Sequence, residues 1–337
     1  MKKSLLFICV TIIFANFFIS CNHDDEEVIP NTTSWTALQN QNVNQMIEYD
    51  FFKFGNNIFV YNILGEGGLK KIVGTSLNVV VNDDSYFTSY NLFSSKNNNA
   101  IYFTINEISG SYYIYKSTDG SSFNLIADNL DLNYFFTSMV FTDNNFYTFS
   151  PSNNYPYFES YSISGNSISN QSYTIYPIGL ADSSFCFYSD NFNYYVTCEN
   201  YHVYKSNDII NWSLTSINAK DLENFNNNLY YIDGNKVYKI DNNGISSLII
   251  TVPNGVYVTY VEGNEVIGFT ELDPNNSNST CKVYYSNDLG QNWNIINVNI
   301  NMHSAYYYGN APVNDAIFDS NNIYIATIFG VYFIDKP

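Results

Sequence analysis

Three short stretches of this chain repeat one another. Ser117-Thr118-Asp119-Gly120-Ser121-Ser122-Phe123, Ser206-Asn207-Asp208-Ile209-Ile210-Asn211-Trp212 and Ser286-Asn287-Asp288-Leu289-Gly290-Gln291-Asn292-Trp293 share a Ser, an Asp two residues later and a closing aromatic ring. Each follows an alternating aromatic run, YYIYKS, YHVYKS or KVYYS, and leads into another apolar segment. Alternation with period two marks β-strands, so each copy is the turn of a hairpin. Self-similarity of this kind is the signature of a repeat architecture and constrains the fold more than any other feature of the chain.

The motif resembles the Asp-box (BNR) repeat, S-x-D-x-G-x-x-W, of sialidases and other β-propellers. In such a turn the Asp carboxylate and the Ser hydroxyl accept hydrogen bonds from loop N–H groups. A bond to a charged acceptor is worth about 1.5–3 kcal/mol. Gly120 and Gly290 are placed to take positive φ, and Phe123, Trp212 or Trp293 to fold over the turn. The second copy has no Gly, so its turn is expected to differ in detail. The resemblance thus assigns a structural role to Ser117, Asp119, Phe123, Ser206, Asp208, Trp212, Ser286, Asp288, Gly290 and Trp293.

Asp119, Asp208 and Asp288 are 89 and 80 residues apart. Each interval is about twice the roughly 40–45 residues of a four-stranded propeller blade. Degenerate turns are expected midway, and Ile163-Ser164-Gly165-Asn166 and Ile240-Asp241-Asn242-Asn243-Gly244 occupy those positions. Leu64-Gly65-Glu66-Gly67-Gly68 is read as an earlier third-to-fourth-strand turn, and Phe333-Ile334-Asp335 as the last third strand. The chain then ends one strand short of a blade. Ser34-Trp35-Thr36-Ala37-Leu38 supplies that strand, with Trp35 in the place of Trp212 and Trp293, and its pairing leaves no open edge there. The expectation is an all-β chain: a single β-propeller of four-stranded blades, seven in number with six and eight as alternatives, closed by an N-terminal strand.

Residues 1–20 read as a signal peptide. Lys2 and Lys3 precede an apolar run from Leu5 to Ile19, shorter than the ~20 residues of a spanning helix. Phe18-Ile19-Ser20-Cys21 resembles a bacterial lipobox, which implies cleavage before Cys21 and lipidation of its sulfur. Asn22-His23-Asp24-Asp25-Glu26-Glu27 resembles the surface-export signal of Bacteroidetes lipoproteins. Residues 21–33 are then an acidic tether, residues 34–337 the propeller, and the expected address the outer membrane, exposed at the cell surface, with lipid as the sole anchor.

Loss of Lys2 and Lys3 moves the net charge from −18 to −20. Such a surface repels nucleic acid. All 13 basic residues are Lys. Sialidases hold the substrate carboxylate with arginines, whose planar fork binds it bidentately. An Arg-free chain lacks that geometry, so sialidase activity is not expected. Other Asp-box hydrolases place two carboxylates across a cleft. Glu271 with Asp273, or Asp315 with Asp319, are the pairs to propose, though both read better as solvated loop carboxylates. His23, His202 and His303 are scattered, no metal-ligand spacing occurs, and no cofactor is expected. Cys186 and Cys198 flank a hairpin around Asp190-Asn191-Phe192, so a disulfide and two buried thiols are both open readings; Cys281 has no evident partner.

In propellers the Asp-box turns share one face of the disc and ligands usually meet the other. Three segments belong to that second face: Leu272 to Thr280, Met302 to Val313, and Pro151 to Phe158. Tyr155, Tyr157, Tyr306, Tyr307 and Tyr308 within them suit sugar rings. The reading is a non-catalytic, monomeric surface lipoprotein that binds a glycan or an envelope protein. A carbohydrate-active hydrolase and a purely structural partner in an envelope complex are the alternatives.

Overall fold

The structure is a computed structural model and describes residues 35–41, 49–62, 68–82, 88–107, 111–132, 139–150, 157–180, 184–198, 200–225, 228–270, 280–304, 307–310, 313–327 and 330–337. It is a seven-bladed β-propeller, each blade a four-stranded antiparallel sheet. The strands of blade 1 are Tyr49–Phe54, Asn57–Asn62, Leu69–Val73 and Ser76–Val81. Blade 2 has Thr88–Ser94, Ile101–Glu107, Ser111–Ser117 and Asn124–Asp131. Blade 3 has Met139–Phe141, Asn145–Ser150, Tyr157–Ser164 and Ser167–Ile175; blade 4 has Ser184–Ser189, Tyr194–Cys198, His202–Ser206 and Ser213–Asn218. Blade 5 has Glu223–Phe225, Asn228–Asp233, Lys236–Ile240 and Ser246–Thr251; blade 6 has Val256–Glu262, Glu265–Thr270, Lys282–Ser286 and Asn294–Asn297. Blade 7 has Val313–Phe318, Asn322–Thr327 and Gly330–Asp335, and its outer strand is Thr36–Ala37 from the other end of the chain.

That outer strand pairs Thr36 with Phe333 and Ala37 with Tyr332. It is only two residues long, and side chains complete it. The Gln41 carboxamide donates to Val331 O (2.9 Å) and accepts from Val331 N (2.7 Å), standing in for the next residue of a strand. Trp35 and Leu38 are buried, and the Trp35 indole N–H donates to Asn297 O of blade 6 at 3.0 Å.

Burial follows position in the blade. Second strands are covered on both faces by neighbouring blades, so Tyr194–Cys198 and Asn322–Thr327 are almost continuously buried. Outer strands such as Ser213–Asn218 stay largely exposed. The apolar core is therefore a series of layers between blades, and one layer joins blades 5, 6 and 7 to blade 1. Sheet twist turns the outer strands toward the circumference. The residues after one outer strand consequently meet the next blade's third-to-fourth-strand turn: Gln39 bridges Ser76, and Ile178 bridges Asn211.

The Leu64 to Gly68 reading needs correction. Leu64 to Gly67 lie outside the described residues, but the strands on either side are the second and third of blade 1, so the segment is a second-to-third-strand connection. The third-to-fourth turn there is Gly74-Thr75, where Gly74 takes φ 59°. The remaining turns fall where the spacing places them, with the Ser-x-Asp copies on blades 2, 4 and 6. A second repeat marks the first-to-second-strand turn. In five blades an Asn opens the second strand or, in blade 4, stands just before it, and an aromatic follows two residues on: Asn57, Asn145, Asn193, Asn228 and Asn322. In blades 4 and 7 the turn Asp accepts from the Asn N–H and from the Tyr hydroxyl (Asp190 with Asn193 and Tyr195; Asp319 with Asn322 and Tyr324).

Candidate functional site

The three Ser-x-Asp turns are closed by their own side chains. Ser Oγ donates to Asp Oδ1 at 3.0, 3.0 and 2.7 Å in blades 2, 4 and 6. The same oxygen accepts from Ser121 N and Ser122 N in blade 2, from Ile210 N and Asn211 N in blade 4, and from Asn292 N in blade 6. The Asn211 and Asn292 amides donate to the second carboxylate oxygen. These backbone donors, with the Asn amides next, hold Asp208 and Asp288 down at about 2. The residue after each Asp is left-handed: Gly120 at φ 65°, Ile209 at 67°, Leu289 at 55°. The second copy thus turns as the others do without a Gly, because the Ile209 side chain is packed in the core and offsets its backbone strain.

Each turn also docks on the preceding blade. Lys71 of blade 1 donates to Gly120 O at 3.1 Å, and Phe123 sits edge-on to Phe59 at 5.8 Å. Trp212 stacks on Phe158 of blade 3 at 5.3 Å, and its indole N–H caps Ile209 O at 2.6 Å. In blade 6 the turn approaches blade 5 at Gly290, where a Cβ would lie 2.8 Å from Ile250 Cγ2, and Trp293 lies half-buried against Tyr284 of its own blade. The Asp carboxylates are occupied by the chain itself on the face of the first-to-second and third-to-fourth turns.

The opposite face carries the second-to-third connections and the interblade segments. Tyr155 and Tyr306 lie outside the described residues, as do Cys21, Glu271 and Asp273. Tyr157 is not in a loop but opens the third strand of blade 3. It is half-buried, and its ring lies 6.4 Å from that of Tyr176, which is 65% exposed. Tyr307 and Tyr308 belong to a hairpin, Asn301–Ser304 with Tyr307–Asn310, inserted between blades 6 and 7, so that interval is not a plain loop; His303 pairs with Tyr308 in it.

Asp315 and Asp319 do not form a pair. They lie toward opposite ends of the first strand of blade 7, Asp315 within it and Asp319 just past it in the turn. The carboxyl beside Asp315 is Asp50 of blade 1, which shares a hydrogen bond with it across the ring-closing seam. Asp315 also accepts from Phe51 N at 2.9 Å and Ala316 N at 2.8 Å, and the Tyr61 hydroxyl donates to Asp50 at 3.2 Å. Burial, then the Asp50 charge, pushes Asp315 well above the usual carboxylate range. Burial and the two carboxylates likewise push the Tyr61 phenol up. Burial and the neighbouring charge thus both favour the protonated form of Asp315. Asp50 and Asp315 open their strands and Tyr61 nearly closes its own, so the trio lies toward the face opposite the Ser-x-Asp turns.

Cys186 and Cys198 are not joined to each other. Cys186 pairs in register with Thr197, which puts Cys198 on the other side of the sheet, so the two sulfurs do not meet. Cys281 is buried. Among the described residues no group of three or more His, Cys, Asp or Glu is arranged to hold a metal ion.

No family model matches the sequence, and no curated protein matches it. Similarity to solved structures is in the fold. A catalytically inactive virginiamycin B lyase from Staphylococcus aureus with quinupristin shares 13% identity over 90% of this chain and 98% of its own, at TM-score 0.52. YCF48 bound to D1 peptide shares 13% over 91% and 96%, at TM-score 0.51. Saccharomyces cerevisiae Sqt1 shares 9% over 90% and 98%, at TM-score 0.51.

Proposed function

We propose that the chain is a surface-anchored binding or scaffold lipoprotein whose propeller presents a glycan- or protein-binding face opposite the Ser-x-Asp turns. Those turns are read as Asp-box repeats serving as staples between blades. One observation carries the choice: the Asp carboxylates of the turns are spent on backbone N–H groups, whereas the Tyr176 ring is exposed beside Tyr157, at the end of blade 3 where the second-to-third connection enters the third strand. An aromatic face packs on the C–H groups of a sugar, and Tyr is favoured at protein contacts for the same amphipathic reason. Tyr155, Tyr306, Tyr307 and Tyr308 belong to the same proposed surface. Similar folds include both a lyase and a protein holding a peptide, so fold alone does not choose between catalysis and binding.

The anchor in this reading is a diacylglyceryl group on Cys21 after loss of residues 1–20, with residues 21–33 as the tether that presents the propeller outside the outer membrane. Mass analysis of the N-terminal peptide tests it, and a Cys21→Ser chain is expected in the soluble fraction. A glycan array with the protein tests the ligand class. Retention should fall about tenfold in a Tyr157→Ala, Tyr176→Ala double variant that keeps its melting temperature; unchanged retention removes the site.

A carbohydrate-active hydrolase other than a sialidase is the second reading, favoured by the buried contact of Asp50 with Asp315, whose carboxyl is held above the usual carboxylate range. The two carboxyls touch, whereas a retaining glycosidase separates its pair by about 5–5.5 Å and an inverting one by more. Glycan turnover by the purified protein, abolished in Asp315→Asn, would establish the hydrolase instead.

A further inference from the structure

The chain contains two Asn-Gly pairs, Asn243-Gly244 and Asn254-Gly255. An Asn carboxamide before Gly is open to attack by the next backbone nitrogen. Gly has no Cβ to shield that nitrogen or to limit the rotation that brings it up. The fold decides whether the attack takes place, and it holds the two pairs in opposite ways.

Asn243-Gly244 belongs to a closed turn of blade 5. The Gly244 N–H donates to Asp241 O at 2.8 Å, and the Asn243 N–H to Asp241 Oδ1 at 2.9 Å. Asn243 O accepts from the Lys205 ammonium of blade 4 at 2.6 Å. Gly244 is buried, and a Cβ there would lie 2.9 Å from Lys205 Cδ. The nitrogen that would attack is engaged as a donor and walled in by the neighbouring blade.

Asn254-Gly255 lies in the connection from blade 5 to blade 6. The last anchor before it is Val252, which bonds Asn235 through both its N–H and its C=O. One backbone bond closes the turn that follows, Val256 N to Pro253 O at 3.2 Å, with Gly255 at φ 79° as the third position of a type II turn requires. Asn254 and Gly255 are both exposed, and nothing lies within 4 Å of the Cβ position at Gly255. Among the described residues neither the Asn254 carboxamide nor the Gly255 N–H has a hydrogen-bond partner. A turn held so lightly opens at little cost.

We propose that Asn254 is a site of spontaneous deamidation and that the fold protects Asn243 from the same reaction. The Gly255 nitrogen gives up its proton and bonds to Asn254 Cγ. The bond from Cγ to the side-chain nitrogen breaks, and that nitrogen leaves with the proton as ammonia. Water then opens the five-membered imide at either carbonyl, leaving aspartate or isoaspartate at position 254. Either product adds a negative charge to a chain already at −18. Isoaspartate also reroutes the main chain through the former side chain, between the Val252 anchor and the first strand of blade 6. The reaction needs no ligand and does not depend on the binding reading.

The test is incubation of the intact protein at mildly alkaline pH, with a parallel sample in denaturant and peptide mass analysis at intervals. In the folded protein Asn254 is expected to convert about tenfold or more faster than Asn243, because the bonds at Asn243-Gly244 must break first. In denaturant the two rates should converge, since both pairs are then free. Asn254→Gln is expected to remove the more acidic species that ion exchange resolves with time, because its longer side chain would have to close a six-membered ring. Equal rates in the folded protein, faster conversion at Asn243, or no conversion at Asn254 in the folded protein overturns the proposal.

Discussion

Two classes of Asp in this ring respond to pH with opposite sign. Asp208 and Asp288 titrate at about 2 because backbone N–H groups and an Asn amide stabilise the charged form. Their contribution to stability is complete above the ordinary Asp value near 4 and is lost as pH falls through about 2. Asp315 is the reverse. Its folded value is raised, so the stability tied to its proton is present below about 4 and is lost as pH rises through the elevated value. The groups facing it are Asp50 and Tyr61; the one Lys on the adjoining first strand, Lys53, is committed to Glu262 nearer the other end. Asp315→Asn keeps an acceptor for Phe51 N and removes the second charge. It is expected to raise the melting temperature at pH 8 and to change it little at pH 4, which thermal melts at the two pH values check. Asp208→Ala strands the Ile210 and Asn211 N–H groups at the surface. It is expected to lower the melting temperature by about 3 °C, with a smaller loss for Asp208→Asn.

At the scale of the element, the turns hold blades together as well as closing hairpins. Gly179, just after the outer strand of blade 3, shows how tight that docking is. It sits at φ 87°, and a Cβ there would lie 2.5 Å from the backbone oxygen of Trp212. Gly165, in a free turn of the same blade at φ 59°, has nothing within 4 Å of that position. Gly179→Ala is therefore expected to destabilise by about 2–4 kcal/mol, from clash and left-handed strain together. Gly165→Ala should cost only the strain, about 1–2 kcal/mol. Denaturant titration of both variants separates the two, and equal losses would show that the interblade contact is slack.

At the scale of the whole molecule, seven blades close because both chain ends share one sheet. Removal of residues 1–33 is expected to leave a monomeric ring. Removal of residues 1–41 also strips Trp35, Leu38 and Gln41, uncovering the Gly330–Asp335 edge and the buried surface beneath it. An open edge of that kind templates strand pairing between molecules, so size-exclusion chromatography should show dimers or larger species.

What the linear chain determined by itself was local or periodic. Alternating apolar residues specify strands, the Ser-x-Asp turns mark alternate blades, and the interval between them with the lone strand around Trp35 favours seven blades over six or eight and places the closing strand. Such signals are legible because hairpin pairing is a property of neighbours in sequence. Composition misplaced one turn, Leu64 to Gly68, because Gly marks either kind of connection. The contacts between blades were decided by tertiary structure alone. The sequence sets Asp315 beside Asp319, four residues on and so about 13 Å away along an extended chain, whereas its partner is Asp50 at the far end of the chain. Likewise nothing in the order of residues brings Lys53 of blade 1 to Glu262 of blade 6. Ring closure and the stacking of blade on blade set those neighbours, and a periodic sequence carries no record of which faces will meet.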